Sequence, residues 1–257
     1  MSDAPKRIDP AASALFLDVD GTLLEICDTP SAVKADEQLL GILKSCYETL
    51  GGALALVSGR SVAEVDRIFS PDLFPVAGAH GAEIRADGQQ VMSVVDDPLP
   101  DFAIAALESF ASRHDGLLLE RKRGGASLHY RLAPDLEEQS RHLVMDLLRD
   151  LGDAYRLIAG KKVFEIAPSA HNKGAAIQWF LENPPFHNRT PVFIGDDVTD
   201  EDGFMVVNRL SGTSIRVGNQ GQTSATQQLR DTTSVREWLQ SAVLNDYTSQ
   251  TKGMNPT

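Results

Sequence analysis

Short apolar runs that stop abruptly on polar tips recur along both ends of this chain. Leu15 to Val19, Ala53 to Val57 and Pro191 to Ile194 are each four or five residues long and apolar, a further run starts at Val76, and Thr213 to Val217 reads as a more polar strand. Such runs fit strands covered on both faces. Between them the apolar spacing changes to that of helices: residues 31–49, closed by Gly51-Gly52, then 61–69, 173–181, 204–208 and 234–244. Alternation of strand and helix predicts a parallel, doubly wound sheet of Rossmann type. In such a sheet the functional site lies beyond the carboxyl ends of the strands.

The middle of the chain follows a different rhythm. Asp96-Asp-Pro-Leu-Pro100 reads as a boundary, and after it come a helix over 102–114, strands over 117–122 and 127–132, a helix over 136–151, and strands over 154–159 and 162–167. Helix, hairpin, helix, hairpin predicts an antiparallel sheet with helices on one side. The expected organisation is an α/β core built from residues 1–97 and 171–257, with an inserted α+β cap domain over 98–170.

Composition narrows the partners. The 257 residues carry a net charge of −12, which argues against nucleic acid or an anionic membrane as the main partner but not against a small phosphorylated substrate held by local cations. The 42% hydrophobic content is ordinary for a chain with a packed core. The two cysteines, Cys27 and Cys46, have no metal-ligand spacing. Residues 1–13 are polar and no membrane-length apolar stretch is visible, so the expected setting is soluble and cytoplasmic.

Three polar tips carry the chemistry. The first run ends in Asp18-Val-Asp-Gly-Thr22. Residues two apart on a strand point the same way, so both carboxylates can address one small volume. Two acids aimed at one point repel, and a cation or a proton relieves them. An Asp-x-Asp pair is more often a turn-capping loop, but the pair placed directly after a buried run, and followed by Gly-Thr, favours a reactive site. The second tip is Ser58-Gly-Arg60, where Ser58 can donate to a phosphoryl oxygen and Ser61 can equally be a plain N-cap. The third is Gly195-Asp-Asp197. Its acids together with Asp18 and Asp20 make an all-oxygen site suited to Mg²⁺. Lys173, at the start of a helix where a cation opposes the dipole, supplies a positive charge for phosphoryl oxygens.

In order and placement, Asp18-x-Asp-Gly-Thr22, Ser58, Lys173 and Gly195-Asp-Asp197 resemble the motifs of the haloacid dehalogenase-like phosphatases. Gly78-Ala-His-Gly-Ala-Glu83, Glu120-Arg-Lys122, His129-Tyr-Arg131, Lys162-Val-Phe-Glu165 and Gly195-Asp-Asp-Val-Thr-Asp-Glu-Asp202 resemble more closely the trehalose-6-phosphate phosphatase family. The likeness runs from residue 14 to about 218, and Ala167 departs from it where a basic residue is expected. The resemblance implies that Asp18 is the nucleophile that forms an aspartyl-phosphate and that Asp20 is the acid and base. It implies that Asp18, the Asp20 carbonyl and Asp196 hold Mg²⁺, with Asp197 and Asp200 orienting that shell, and that Ser58 and Lys173 hold the phosphoryl group, with Arg60 also among the substrate contacts.

The inserted segment is expected to choose the sugar. Glu120 and Lys122 alternate to one face of their strand, and Ser127, His129 and Arg131 to one face of the next, away from Leu128, Tyr130 and Leu132; Glu165 sits between Phe164 and Ile166. Alternation alone is satisfied by an ordinary solvent face. The mixture of carboxylates and cations suits sugar hydroxyls, and a closing cap can exclude water. The resemblance implies that Glu120, Lys122 and Glu165 grip the distal glucose, with Arg131 and Lys161 as lesser contacts. His80 and Glu83 are equally readable as rim contacts or as supports for their hairpin. The implied reaction is hydrolysis of trehalose 6-phosphate, a phosphorylated disaccharide, and it admits a separate trehalose-6-phosphate synthase chain as a partner. The alternatives are a phosphatase for another sugar phosphate, such as sucrose 6-phosphate or a glucosyl- or mannosyl-glycerate phosphate, and a non-catalytic sugar-phosphate sensor.

Overall fold

The structure is a computed structural model that describes residues 5–26, 34–71, 73–86, 90–93, 98–122, 124–160, 162–219 and 221–244. The chain separates into two compact units, residues 1–92 with 172–257, and Ser93–His171. The Asp87-Gly88 turn, Cys27 and Lys161 lie outside the described residues.

The first unit is built on an eight-stranded sheet. Its strands are β1 (Ser13–Leu17), β2 (Leu54–Val57), β3 (Val76–Gly78), β4 (Glu83–Arg85), β5 (Met92–Ser93), and later β10 (Thr190–Gly195), β11 (Thr213–Val217) and β12 (Gln227–Leu229). Their spatial order is β12-β11-β10-β1-β2-β3-β4-β5. β1 to β3 and β10 to β12 run parallel, and β4 pairs antiparallel with β3. From β1 the chain winds outward through β2 and β3, and only later returns to lay β10 on the other side of β1. The gap between the ends of β1 and β10 is therefore the switch point of the sheet, where a crevice forms.

The burial pattern explains why these runs became strands. Every residue of β1 and of β2 is buried, as a two-sided sheet requires. Helices α1 (Glu37–Thr49), α2 (Val62–Phe69), α5 (Lys173–Leu181), α6 (Glu201–Arg209) and α7 (Thr232–Trp238), with the π-helical turn Leu239–Leu244, contribute to the unit. Phe16 stacks on Phe186 and meets Phe180 at a tilt, and Phe193 meets Phe204 at a tilt, so aromatic residues from β1, β10, α5 and α6 help fill the interior. α1 starts at Glu37, capped by Asp36 on the Leu39 N–H, later than the periodicity from residue 31 suggests. α6 starts at Glu201, three residues before the apolar stretch announced it.

The second unit is a four-stranded antiparallel sheet in the order β6-β7-β9-β8. Its strands are β6 (Leu118–Lys122), β7 (Gly125–His129), β8 (Tyr155–Gly160) and β9 (Val163–Pro168); its helices are α3 (Asp101–Ala111) and α4 (Glu137–Leu151). Leu107 of α3, Val144 and Leu147 of α4, and Leu128, Phe164 and Ile166 of the sheet form one buried core. Only one sheet face is used this way, because alternate residues of each strand point to the other. β7 ends at His129 rather than at residue 132: Ala133 N–H closes a turn onto Tyr130 C=O, which leaves Leu132 84% exposed and puts Arg131 in the turn.

Candidate active site

The strand β1 stops at Leu17, not at Val19. Asp18 N–H still pairs with Ile194 C=O of β10 at 2.9 Å, after which the N–H groups of Leu23 and Leu24 both return to Val19 C=O and close a loop. The alternation that would aim Asp18 and Asp20 together therefore does not hold, and the two carboxylates take different partners.

Asp18 is 4% exposed and accepts from Lys173 Nζ at 2.6 Å. Lys173, 3% exposed at the first turn of α5, donates also to Asp200 at 2.7 Å. Burial alone would push the ammonium pKa down, but the two carboxylates outweigh it and hold it above the ordinary lysine value. This is why a cation tolerates the positive end of a helix here. Asp200 is fully buried, and its second oxygen accepts the N–H groups of Asp196 and Asp197, each at 2.9 Å. It locks the loop after β10 rather than offering a free ligand atom.

Asp196 completes the cluster: one carboxylate oxygen each from Asp18, Asp196 and Asp200 lies within 4.8 Å of the others. Asp196 Oδ1 is buried with no hydrogen-bond partner among the described residues. Burial, followed by the neighbouring Asp200, pushes the Asp196 carboxyl up to about 7. Burial also raises Asp18 well above the usual carboxylate range, against the pull of Lys173. Close packing is enforced by Gly21, whose φ is +83° and where a Cβ would fall 2.0 Å from Asp196 Oδ2. Crowded, desolvated carboxylates with an oxygen lacking a partner fit a hard divalent cation.

Asp20 is instead gripped by Arg60, whose Nε and Nη2 reach its two oxygens at 2.6 Å each. Arg60, expected as a substrate contact, thus serves first to orient Asp20. Ser58 is 1% exposed, and its Oγ accepts from Arg60 N–H at 3.1 Å, so its own proton remains to be donated. Ser61 is the N-cap of α2 in a reciprocal capping box with Glu64. Glu83 accepts from the Val62 N–H at 2.9 Å, and His80 N–H donates to Ser58 C=O at 3.0 Å. Both therefore support the Ser58 loop and the start of α2. Because Ser61 only caps, Ser61→Ala should lower unfolding stability by about 1 kcal/mol in urea while leaving turnover intact; a loss of turnover at unchanged stability would reverse the roles of Ser58 and Ser61.

In the second unit, the sheet face opposite the core carries the expected polar group. Glu165 Oε2 accepts from Lys122 Nζ at 2.6 Å and from Ser127 Oγ at 2.8 Å. Glu120 pairs with His129 Nε2 at 2.9 Å, and this bond holds the Glu120 carboxyl below its ordinary value despite partial burial. Arg131 is exposed in the turn after β7. Asp197 is exposed and caps its own loop through the Val198 N–H at 2.6 Å.

A trehalose-phosphatase family model matches residues 16–253. The chain belongs to the trehalose-phosphatase family. It is 44% identical over 209 residues to a probable trehalose-phosphate phosphatase of Sinorhizobium fredii, across 80% of this chain and 77% of that protein. It is 40% identical over 231 residues to a trehalose-6-phosphate phosphatase of Escherichia coli, across 90% and 86%. Among solved structures, a trehalose-6-phosphate phosphatase related protein superposes with a TM-score of 0.73 at 26% identity, covering 92% of this chain and 99% of that one.

For this trehalose-phosphatase family chain, the sequence-predicted residues fall into three groups. Asp18, Lys173, Asp196 and Asp200 meet in one buried cluster. Asp20 with Arg60 and Ser58 forms a second group at the tips of β1 and β2. Glu120, Lys122, Ser127, His129 and Glu165 share the polar face of the second sheet. Sequence reasoning missed the strength of Asp200, which it placed in an orienting role without its bond to Lys173. On the second sheet, register places Arg156 directly opposite Ala167.

Proposed function

We propose that this chain is a Mg²⁺-dependent phosphatase that converts trehalose 6-phosphate to trehalose and phosphate. The observation that carries the reading is the buried Asp18–Lys173–Asp200 chain beside an Asp196 oxygen with no hydrogen-bond partner among the described residues, at the sheet's switch point. A sensor needs no nucleophile beside a buried cation. Residues 1–97 and 171–257 are the catalytic part in this reading, and 98–170 the substrate-selecting cap.

Asp18 attacks phosphorus; its new O–P bond forms as the ester bond to the sugar oxygen breaks, and Asp20 gives that oxygen a proton. Asp20 then takes a proton from water, whose oxygen attacks phosphorus while the Asp18 O–P bond breaks and phosphate leaves. Both Asp20 oxygens face Arg60, so its part as proton donor requires one of those bonds to be exchanged for one with the substrate. Ser58 and Lys173 bind the phosphoryl oxygens, and Lys173 offsets the charge that gathers between them and Asp18. Asp18, Asp196 and the Asp20 carbonyl are the residues that would hold Mg²⁺, with Asp197 and Asp200 fixing their loop. The ion would supply charge neutralisation at the phosphoryl oxygens. Glu120, Lys122 and Glu165 bind the sugar hydroxyls, with Arg131 and Lys161 as lesser contacts. We place the enzyme in the cytoplasm, with a synthase on a separate chain supplying the substrate. Among the described residues no helix is long and apolar enough to cross a membrane.

The test is phosphate release from trehalose 6-phosphate, glucose 6-phosphate and sucrose 6-phosphate, with Mg²⁺ and with a chelator. The expected result is release selective for trehalose 6-phosphate, abolished by chelation and restored by Mg²⁺. Release from another sugar phosphate instead would keep the Asp18 chemistry and discard the assignment of Glu120, Lys122 and Glu165. Binding without release would move the chain to the sensor class.

A further inference from the structure

The polar face of the second sheet holds a cation outside the groups assigned so far. In antiparallel pairs, directly opposite residues share a face. Glu120 stands opposite Ser127, Ser127 opposite Glu165, and Glu165 opposite Ile158. The next row begins with Lys122 opposite Gly125 and ends with Ala167 opposite Arg156. Gly125 lies against the Ile166–Ala167 backbone: a Cβ there would meet Ile166 O at 2.4 Å. The row thus reads cation, glycine, alanine, cation across the sheet.

Alternation along β8 fixes the side on which Arg156 stands. Tyr155 and Leu157 pack against the hydrophobic core of the unit, so Arg156 between them belongs to the opposite face. Ile158 and Ala167, its neighbours on that face, are buried but lie outside the core cluster, as this assignment requires. Glu165 on β9 therefore has Lys122 reaching it from the β6 side and Arg156 diagonal to it on the β8 side. Arg156 is half-buried. Its head carries donors in a planar fork.

We propose that Arg156 is a substrate-contacting, specificity-determining residue that donates from its guanidinium to adjacent hydroxyls of the disaccharide. The assignment rests on the trehalose 6-phosphate reading. A sugar diol both donates and accepts. A carboxylate with Lys122 on one side and Arg156 on the other offers both partners. A purely structural Arg156 would affect folding and all substrates alike, whereas a contact residue affects only substrates that carry the second sugar.

The experiment compares wild type, Arg156→Gln and Arg156→Lys on trehalose 6-phosphate and on p-nitrophenyl phosphate, with melting temperatures recorded in parallel. Loss of a charge-assisted hydrogen bond predicts that Arg156→Gln raises KM for trehalose 6-phosphate about 10- to 100-fold. Its turnover of p-nitrophenyl phosphate should match wild type. Arg156→Lys, which keeps stem and charge and is the variant to read should the first fail to fold, should give a smaller rise. An unchanged KM, or parallel losses on both substrates, overturns the assignment while the function stands. A wild type inactive on trehalose 6-phosphate but active on another sugar phosphate overturns the reading of function, and this assignment with it.

Discussion

Asp18→Asn should abolish phosphate release from trehalose 6-phosphate, with a fall on the order of 10⁴-fold or more, while the folded protein is retained. The carboxamide has almost the shape of the carboxylate but cannot form the O–P bond. Loss of a nucleophile typically removes nearly all of the chemical step, leaving only what binding and electrostatics supply. The stability side is the sharper test, because a merely structural acid would behave in the opposite way. Lys173 keeps Asp200 as a partner in the variant, so no buried cation is stranded. Asp18, by contrast, sits where burial makes its charged form unfavourable.

The sign follows from linkage. An acid whose folded pKa lies above its unfolded value near 3.9 contributes its full stability below that unfolded value, and the contribution is lost as pH rises through the folded pKa. Asp18 is raised, and Asp196 is raised to about 7, so the metal-free wild type should lose stability from mildly acidic to mildly alkaline pH. Asp18→Asn removes one of these two contributions and relieves repulsion on the other. With a chelator present, its melting temperature should gain on wild type as pH rises from 5 to 8. Thermal melts at the two pH values decide this; a variant that loses ground to wild type between them would mean that Asp18 is a structural anchor instead.

Much of this arrangement was legible in the sequence because it depends on strand ends. The buried runs leading into Asp18 and Asp196, and the helix beginning at Lys173, are local signals, and the sheet order then brings them together. The failures are where local signals and tertiary contacts part company. Val19 is apolar and buried like a strand residue, yet the chain has already left the sheet, because Leu23 and Leu24 take its carbonyl. Asp20 is thus turned toward Arg60, and a period of two could not have shown it. β12 went unseen because Gln227-Gln228-Leu229 has one buried side chain; as an edge strand it needs only its pairing with β11. The 78–83 segment, with left-handed Ala79 and His80, carries an αL backbone that Ala79 in particular does not announce. Its purpose becomes visible only in space, where it fastens the Ser58 loop. Arg156 was hidden for another reason: its cross-strand neighbour Ala167 lies on β9, and only the register reveals which face it occupies.

Lys173→Met should be the most destabilising single change in the site and should also end turnover. The substitution keeps an unbranched chain of similar length but removes the only cation that Asp18 and Asp200 share in the described cluster. Breaking a buried ion pair by deleting one partner strands the other charge, at a cost of about 3–5 kcal/mol. Here two carboxylates are stranded, and Asp196 stands beside them. Stability measured by urea unfolding at pH 8 with a chelator should show that loss in full. Toward pH 5 the deficit should shrink, because without the ammonium nothing opposes the burial that raises Asp18, and protonation relieves its stranded charge. Adding Asp200→Asn to Lys173→Met should restore part of the loss. The carboxamide oxygen can still accept from the Asp196 and Asp197 N–H groups, while one stranded charge is removed. The two changes should therefore be strongly non-additive in a double-mutant cycle. If Lys173→Met instead cost less than about 1 kcal/mol, the level of an exposed pair, the carboxylates would not depend on this cation. The cluster would then be held by its backbone bonds alone, and the role of Lys173 would be confined to the phosphoryl group it binds during turnover.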